Sequence, residues 1–364
     1  MRKPKKCDVF LLLGTTLLLL CGSVSLCFPA PRFSETENRY LAAFPTFDAT
    51  ALANGSYTAA LDSFACERVP FRALGRAIWS ETELALLRRE AHGVILCRDG
   101  SLCRRLEVNE QIYKRNLLSL PRLEKALGDL PFTVAVAPRR IDVRNEVLPA
   151  LYDTSREQDV WNALPAGVVT FLDVNADAHW YRTDHHWTSE GAYSAYVRLS
   201  RVLGFSPYPP EDFKRQTLSE SFLGSSAAAA GFWQINPDTV SAFRFQGDEE
   251  YHVFRDGVRA NFKGLYDLEK LEGKDTYAVF LGGNCGELKI EYGEGDTRPT
   301  LLVIKDSFAN SLLPFLARHY RILAIDPRYQ KKSALPLAKE ADAVLVLCGM
   351  QTLTQENFFA SLFR

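Results

Sequence analysis

The stretch LLVIKDSFANSLLPFL, residues 301–316, runs from an unbroken apolar segment into a charged corner, Lys305-Asp306-Ser307. It leaves through a helical pattern carrying Leu312, Leu313, Phe315 and Leu316. A short apolar run bounded by polar residues reads as a strand buried on both faces, the kind found inside parallel sheets. The same pattern recurs in TVAVAP (133–138), VVTFLDV (168–174), RILAID (321–326) and AVLVLC (343–348), with helical patterns between. The chain therefore reads as an α/β protein with three α/β/α layers: a parallel sheet carrying helices on both faces. Between about 206 and 298 the pattern changes to Gly, Pro and aromatic residues, as in FLGSSAAAAGFW and FLGGNCGE, and reads as an irregular insertion of short strands and loops.

A second stretch, YRTDHHWTSEGAY (181–193), places Asp184, His185, His186 and Trp187 in consecutive positions. Ala192, Ala195, Tyr196, Leu199 and Val202 follow at helical spacing, with Thr188 as the N-cap and Gly204 as the stop. The acid and both histidines then sit at a strand-to-helix turn, and in an open parallel sheet such turns, at the carboxyl ends of strands, line the ligand crevice. Ser307 occupies a like corner, where a hydroxyl gains exposure and the following N–H groups can hold an anion. An ordinary N-cap at Asp306 or Ser307 is the plainer reading of that corner alone. Together the stretches supply what a serine nucleophile needs, a histidine base and an acid to orient it. A metal site on Asp184, His185, His186 and the nearby His179 is disfavoured, since adjacent residues rarely coordinate one ion and no helical ligand spacing occurs.

The chain of 364 residues, 47% hydrophobic and 12% aromatic, can bury a sizeable core. Its net charge of −1, with no basic run, argues against a nucleic-acid partner. Arg2, Lys3, Lys5 and Lys6 precede residues 9–28, which contain no charge and have about the length of a membrane span. This order places everything after Phe28 outside the cytoplasm, behind a signal anchor or a cleavable signal peptide. The anchor is favoured because Val24-Ser25-Leu26-Cys27 makes a poor cleavage site. The expected organisation is a signal segment (1–30), a partly helical subregion (31–90) and the α/β domain (91–364). Outside the signal segment lie Cys66, Cys97, Cys103, Cys285 and Cys348. Cys97 and Cys103 bracket RDGSL, whose Asp-Gly signals a hairpin, so a disulfide between them is expected in an oxidising compartment.

The stretches YRTDHHWTSEGAYSAY and IKDSFANSLLPFL, with HYRILAIDPRY beyond, resemble the DHHW family of bacterial exported proteins. FSETENRYLAAFP (33–45), NGSY (54–57), VPFR (69–72) and FLGGN (280–284) extend the resemblance over nearly the whole exported chain. That family is similar in turn to the SGNH-hydrolase-like proteins of alginate O-acetylation, where Asp-x-His-Trp likewise precedes the serine block. The resemblance implies an SGNH-hydrolase-like domain with Ser307 as nucleophile, His186 as general base and Asp184 as its orienting acid. His185, Trp187, Asn284, Arg182 and Arg328 are the candidates for substrate or oxyanion contacts. Lys305 stands where a typical esterase serine block has glycine. The implied activity is O-acetyl transfer to, or removal from, cell-envelope polysaccharide outside the cytoplasm of a bacterium. It calls for no cofactor, and a multi-pass membrane O-acyltransferase is the expected acetyl donor. The alternative is a non-catalytic polysaccharide-binding or assembly protein of the same fold.

Overall fold

The computed structural model describes residues 41–364 except 70, 174–176, 331–332, 334, 361 and 363–364, with a few positions before 41. Residues 9–28, read above as an anchor, lie mostly outside the described residues. Among those described, no helix is long and apolar enough to cross a membrane. The chain divides into two compact units. The smaller comprises residues 1–92 and 228–233. It holds helices Ser56–Cys66 and Arg72–Ala85, and Ser80 there donates to the Ala230 carbonyl at 2.6 Å.

The larger unit, residues 93–227 and 234–364, is built on an eight-stranded sheet. In chain order its strands are β1 (Phe132–Ala137), β2 (Val169–Thr170), β3 (Tyr251–Arg255), β4 (Val258–Arg259), β5 (Glu287–Tyr292), β6 (Thr300–Lys305), β7 (Arg321–Ile325) and β8 (Ala343–Gly349). Their spatial order is β4-β3-β5-β7-β6-β8-β1-β2. The block β7-β6-β8-β1-β2 is parallel. All six residues of β6 are buried. Leu301 and Val303 enter one apolar core while Leu302 and Ile304 enter the other. Helices cover both faces. Helix α1 (Glu110–Leu127) sends Tyr113, Leu120, Leu123 and Leu127 into the second core, and α2 (Ser189–Leu203) sends Ala192, Ala195, Tyr196 and Leu199 into the first. Each such large apolar side chain contributes about 1.5–3 kcal/mol on burial.

The sheet is mixed rather than parallel throughout, which corrects the expectation from the apolar runs. Strands β5, β3 and β4 add to β7 in antiparallel fashion. They come from the region 206–298 that reads as an irregular insertion. Their signal is period-2 alternation: Tyr251 and Val253, then Leu288 and Ile290, face the core between more exposed neighbours. Strands that each bury one face do not show up in a search for continuous apolar runs. That region also forms a separate antiparallel pair, Lys214–Phe222 with Asp238–Arg244. The carboxyl ends of β7, β6, β8 and β1 lie side by side along one edge, and that edge carries the site.

Candidate active site

Strand β6 ends at Lys305, and the chain turns at once into a 3₁₀ segment, Ser307–Ser311. Asp306 caps it. One carboxylate oxygen accepts from Phe308 N at 2.9 Å, and the other accepts from Gly349 N and the Thr352 hydroxyl, both at 2.7 Å. The cap therefore ties the end of β6 to the end of β8 and leaves the Ser307 side chain free of capping duty. Ser307 is half-buried, and its Oγ meets Nε2 of His186 at 2.8 Å.

Nδ1 of His186 lies 2.5 Å from Oδ1 of Asp184, which also accepts from His186 N at 3.0 Å. An ionised carboxylate only accepts, so Nδ1 carries the proton. In the neutral ring Nε2 then offers its lone pair, and the Ser307 hydroxyl donates to it. Burial alone pushes the Asp184 carboxyl up. The adjacent imidazoles and the hydrogen bonds from His186 outweigh it and hold the group well below the usual carboxylate range. A serine, an imidazole and a buried acid arranged this way can transfer the serine proton as the oxygen attacks a carbonyl carbon.

The turn bearing Asp184 is built differently from the expectation. It does not leave a strand of the main sheet; a lone bridge between Trp180 and Trp187 closes it. Thr188 then caps α2 as its spacing predicts, accepting from Gly191 N. The turn is held from afar. Asp238 accepts from Arg182 N, Thr183 N and the Thr183 hydroxyl. Ser225 N donates to the second oxygen of Asp184 at 2.7 Å. Gly224 packs so closely that a Cβ there would sit 2.2 Å from that of Asp184. Tyr277 stacks on His186 at 4.0 Å between ring centres, nearly parallel, and donates from its hydroxyl to the Ser307 carbonyl. Asp238, Gly224, Ser225 and Tyr277 were not singled out from the sequence. Only Gly224 and Ser225 left a trace, within FLGSS.

The remaining candidates fall in different places. Trp187 is fully buried, and its indole N–H donates to the Phe308 carbonyl and the Ser311 hydroxyl, so it joins the two turns and offers substrate no surface. Nδ1 of His185 shares a hydrogen bond with Ser225 Oγ at 2.7 Å, and its ring lies 3.8 Å from that of His186. Burial, with His186 beside it, pulls its pKa down to about 3 and keeps it neutral. Asn284 is exposed, and its side-chain oxygen accepts from Asn310. Arg328 grips Asp326 through two hydrogen bonds, at 2.9 and 2.7 Å. Arg182 is exposed and donates to the Asp99 carbonyl. The hairpin at Asp99-Gly100 forms between Val94–Leu96 and Leu102–Arg104. The Cys97 and Cys103 sulfurs lie 3.4 Å apart across it, but both thiols are free and the expected disulfide is not formed here. Asp184, His185 and His186 offer ligand atoms within 4.8 Å of one another. The facing atoms of Asp184 and His186 are already committed to each other, and Nε2 to Ser307.

Residues 172–325 match the family described as DHHW protein. The probable alginate O-acetylase AlgJ of Pseudomonas fluorescens is 25% identical over 179 residues, which are 43% of this chain and 44% of that protein. The chain thus matches less than half the length of that relative. A DHHW family protein from Eubacterium siraeum shares the fold, with a TM-score of 0.61 at 22% identity over 74% of this chain and 95% of that one. Bacillus cereus PatB1 does so with a TM-score of 0.59 at 20% identity over 73% and 99%. The segment 172–325, which carries His186 and Ser307 alike, is thus similar to the DHHW family that the sequence resembles.

Proposed function

We propose that this chain is an extracytoplasmic acyl-transfer enzyme of SGNH-hydrolase-like type, moving acetyl groups onto or off a polysaccharide. The carrying observation is the pair of contacts at His186, 2.8 Å to Ser307 Oγ on one side and 2.5 Å to Asp184 on the other. Ser307 attacks an acetyl carbonyl while His186 takes its proton, with Asp184 stabilising the imidazolium that forms. The tetrahedral oxyanion is held by the Ser307 N–H, at the start of the 3₁₀ turn where helical N–H groups lack internal partners, and by the Asn284 amide. His186 returns the proton to the leaving oxygen, and an acetyl-Ser307 remains. A sugar hydroxyl, or water, then attacks that ester with His186 again as base.

The polysaccharide class rests on the similarity to the probable alginate O-acetylase, and the extracytoplasmic setting on that similarity together with the basic and apolar order of residues 1–28. Residues 9–28 serve as the membrane anchor in this reading, and a multi-pass membrane acyltransferase supplies the acetyl group. The test is turnover of an activated acetyl ester by the wild type, Ser307→Ala and His186→Ala. Each variant is expected to lose about a thousandfold or more in kcat. Equal rates in all three folded proteins would overturn the reading in favour of a glycan-binding role.

A further inference from the structure

Lys305 is fully buried at the end of β6, beside the serine. An ammonium ion there is costly unless it is bound and balanced. Its Nζ donates to Oδ1 of Asn310 at 2.6 Å. Burial lowers its pKa, and the charge of Asp326 is foremost among those opposing this.

That bond fixes more than itself. An ammonium can only donate, so the Asn310 atom facing it is the carbonyl oxygen, and the Asn310 NH₂ is turned the other way. It donates to Oδ1 of Asn284 at 3.0 Å. Asn284 must therefore present its own NH₂ away from Asn310, at an exposed position. Asn310 follows Ser307 by three residues within a 3₁₀ segment, where three residues make a turn, so the two side chains share a face. The Asn284 backbone is pinned as well. The Arg255 guanidinium donates to the carbonyls of Leu281, Gly283 and Asn284, across a loop in which residues 281, 282 and 283 all have positive φ.

The geometry points to Lys305 as a positioning residue that, through Asn310, sets the orientation of the Asn284 amide so that it offers a hydrogen-bond donor beside Ser307. This inference rests on the serine reading above and deepens it. The lysine that replaces the usual glycine thus supplies a donor at one remove instead of a backbone approach.

The decisive variant is Asn310→Asp. The introduced carboxylate keeps Lys305 paired, which protects the fold, but it can no longer donate to Asn284. The Asn284 amide then flips, gives its NH₂ to that carboxylate and shows its carbonyl oxygen at the site. With an activated acetyl ester, kcat is expected to fall about 100-fold with KM within about threefold, as for the loss of one oxyanion donor. Asn284→Ala should lose the same factor, and the double variant should be no slower than either. A kcat for Asn310→Asp within about threefold of wild type, with Asn284→Ala 100-fold down, would overturn the inference. A second readout needs no turnover. In protein labelled with ¹⁵N-asparagine, the Asn310 side-chain NH₂ should be protected from exchange with water and that of Asn284 should not, with Asn284 becoming protected in Asn310→Asp. Protection of Asn284 in the wild type would overturn the proposed orientation. Absence of Ser307-dependent turnover would instead overturn the serine reading and the oxyanion role with it, while the amide pattern still decides the orientation.

Discussion

Two turns meet at this site, and they are held in opposite ways. The turn at Ser307 is anchored by its own neighbours: β6 leads straight into it, and Asp306 caps it while bonding the adjacent end of β8. The turn at Asp184 has no such strand before it, and residues 40–56 positions away in the chain hold it, Ser225 and Gly224 at the carboxylate and Asp238 at the backbone. Ser307 is thus placed by secondary structure and His186 by tertiary clamps. The Asp184 turn is therefore the more sensitive of the two to changes elsewhere in the sequence.

The largest effect that would break this contrast is expected at Gly224. Gly224→Ala drives a Cβ to within 2.2 Å of Asp184 Cβ and 2.5 Å of its Oδ2, so the acid must move off His186. A displacement of about 1 Å in a catalytic group costs on the order of 100-fold, to be read in kcat/KM for an activated ester. The matched change, Gly349→Ala, meets the ring edge of Phe308 at 2.6 Å, with Asp306 Oδ2 at an ordinary contact distance of 3.4 Å, and should cost about 1–3 kcal/mol of stability, read by denaturant titration, with less than about tenfold in rate.

A smaller effect follows at Asp238. Asp238→Asn turns an NH₂ toward a cluster of three donors, Arg182 N, Thr183 N and Thr183 Oγ1. We expect a loss of about 2–3 kcal/mol in urea unfolding.

Smaller again is the acid response of His185. Its folded pKa of about 3 lies below the ordinary value of 6.5, so the unfolded chain binds the extra proton first. Stability is therefore fully present above about pH 6.5 and is lost as pH falls from there toward 3, at no more than about 1.4 kcal/mol per pH unit. His185→Gln should flatten this slope in melting curves taken between pH 6.5 and 4. An unchanged slope would show that His185 is not held neutral. The smallest expected effect is none: a chelator should leave ester turnover unaltered, since the Asp184 and His186 atoms that could bind an ion are satisfied within the site.

The same contrast explains what the sequence discloses. The corner at Ser307 is legible because strand, cap and turn are contiguous, and the apolar runs disclose the parallel half of the sheet. Thr188 and Gly204 mark α2 for the same local reason. The antiparallel half is obscured because β3 and β5 bury one face each. Asp238, Ser225 and Tyr277 are illegible, since nothing near them in the chain shows that they close on Asp184 and His186. Asn284 and Lys305 can be noticed separately, but the relay joining them through Asn310 exists only once β6 and the loop after Phe280 are folded together.

The central claim is that Ser307 is an activated nucleophile. The most direct measurement is intact-mass and peptide-level analysis of the protein after brief exposure to an activated acetyl ester, beside Ser307→Ala and His186→Ala. The account predicts one acetyl group on the peptide containing Ser307 in the wild type, and none at that position in either variant. Unlabelled wild-type Ser307 with no ester turnover, or equal labelling in His186→Ala, would contradict it.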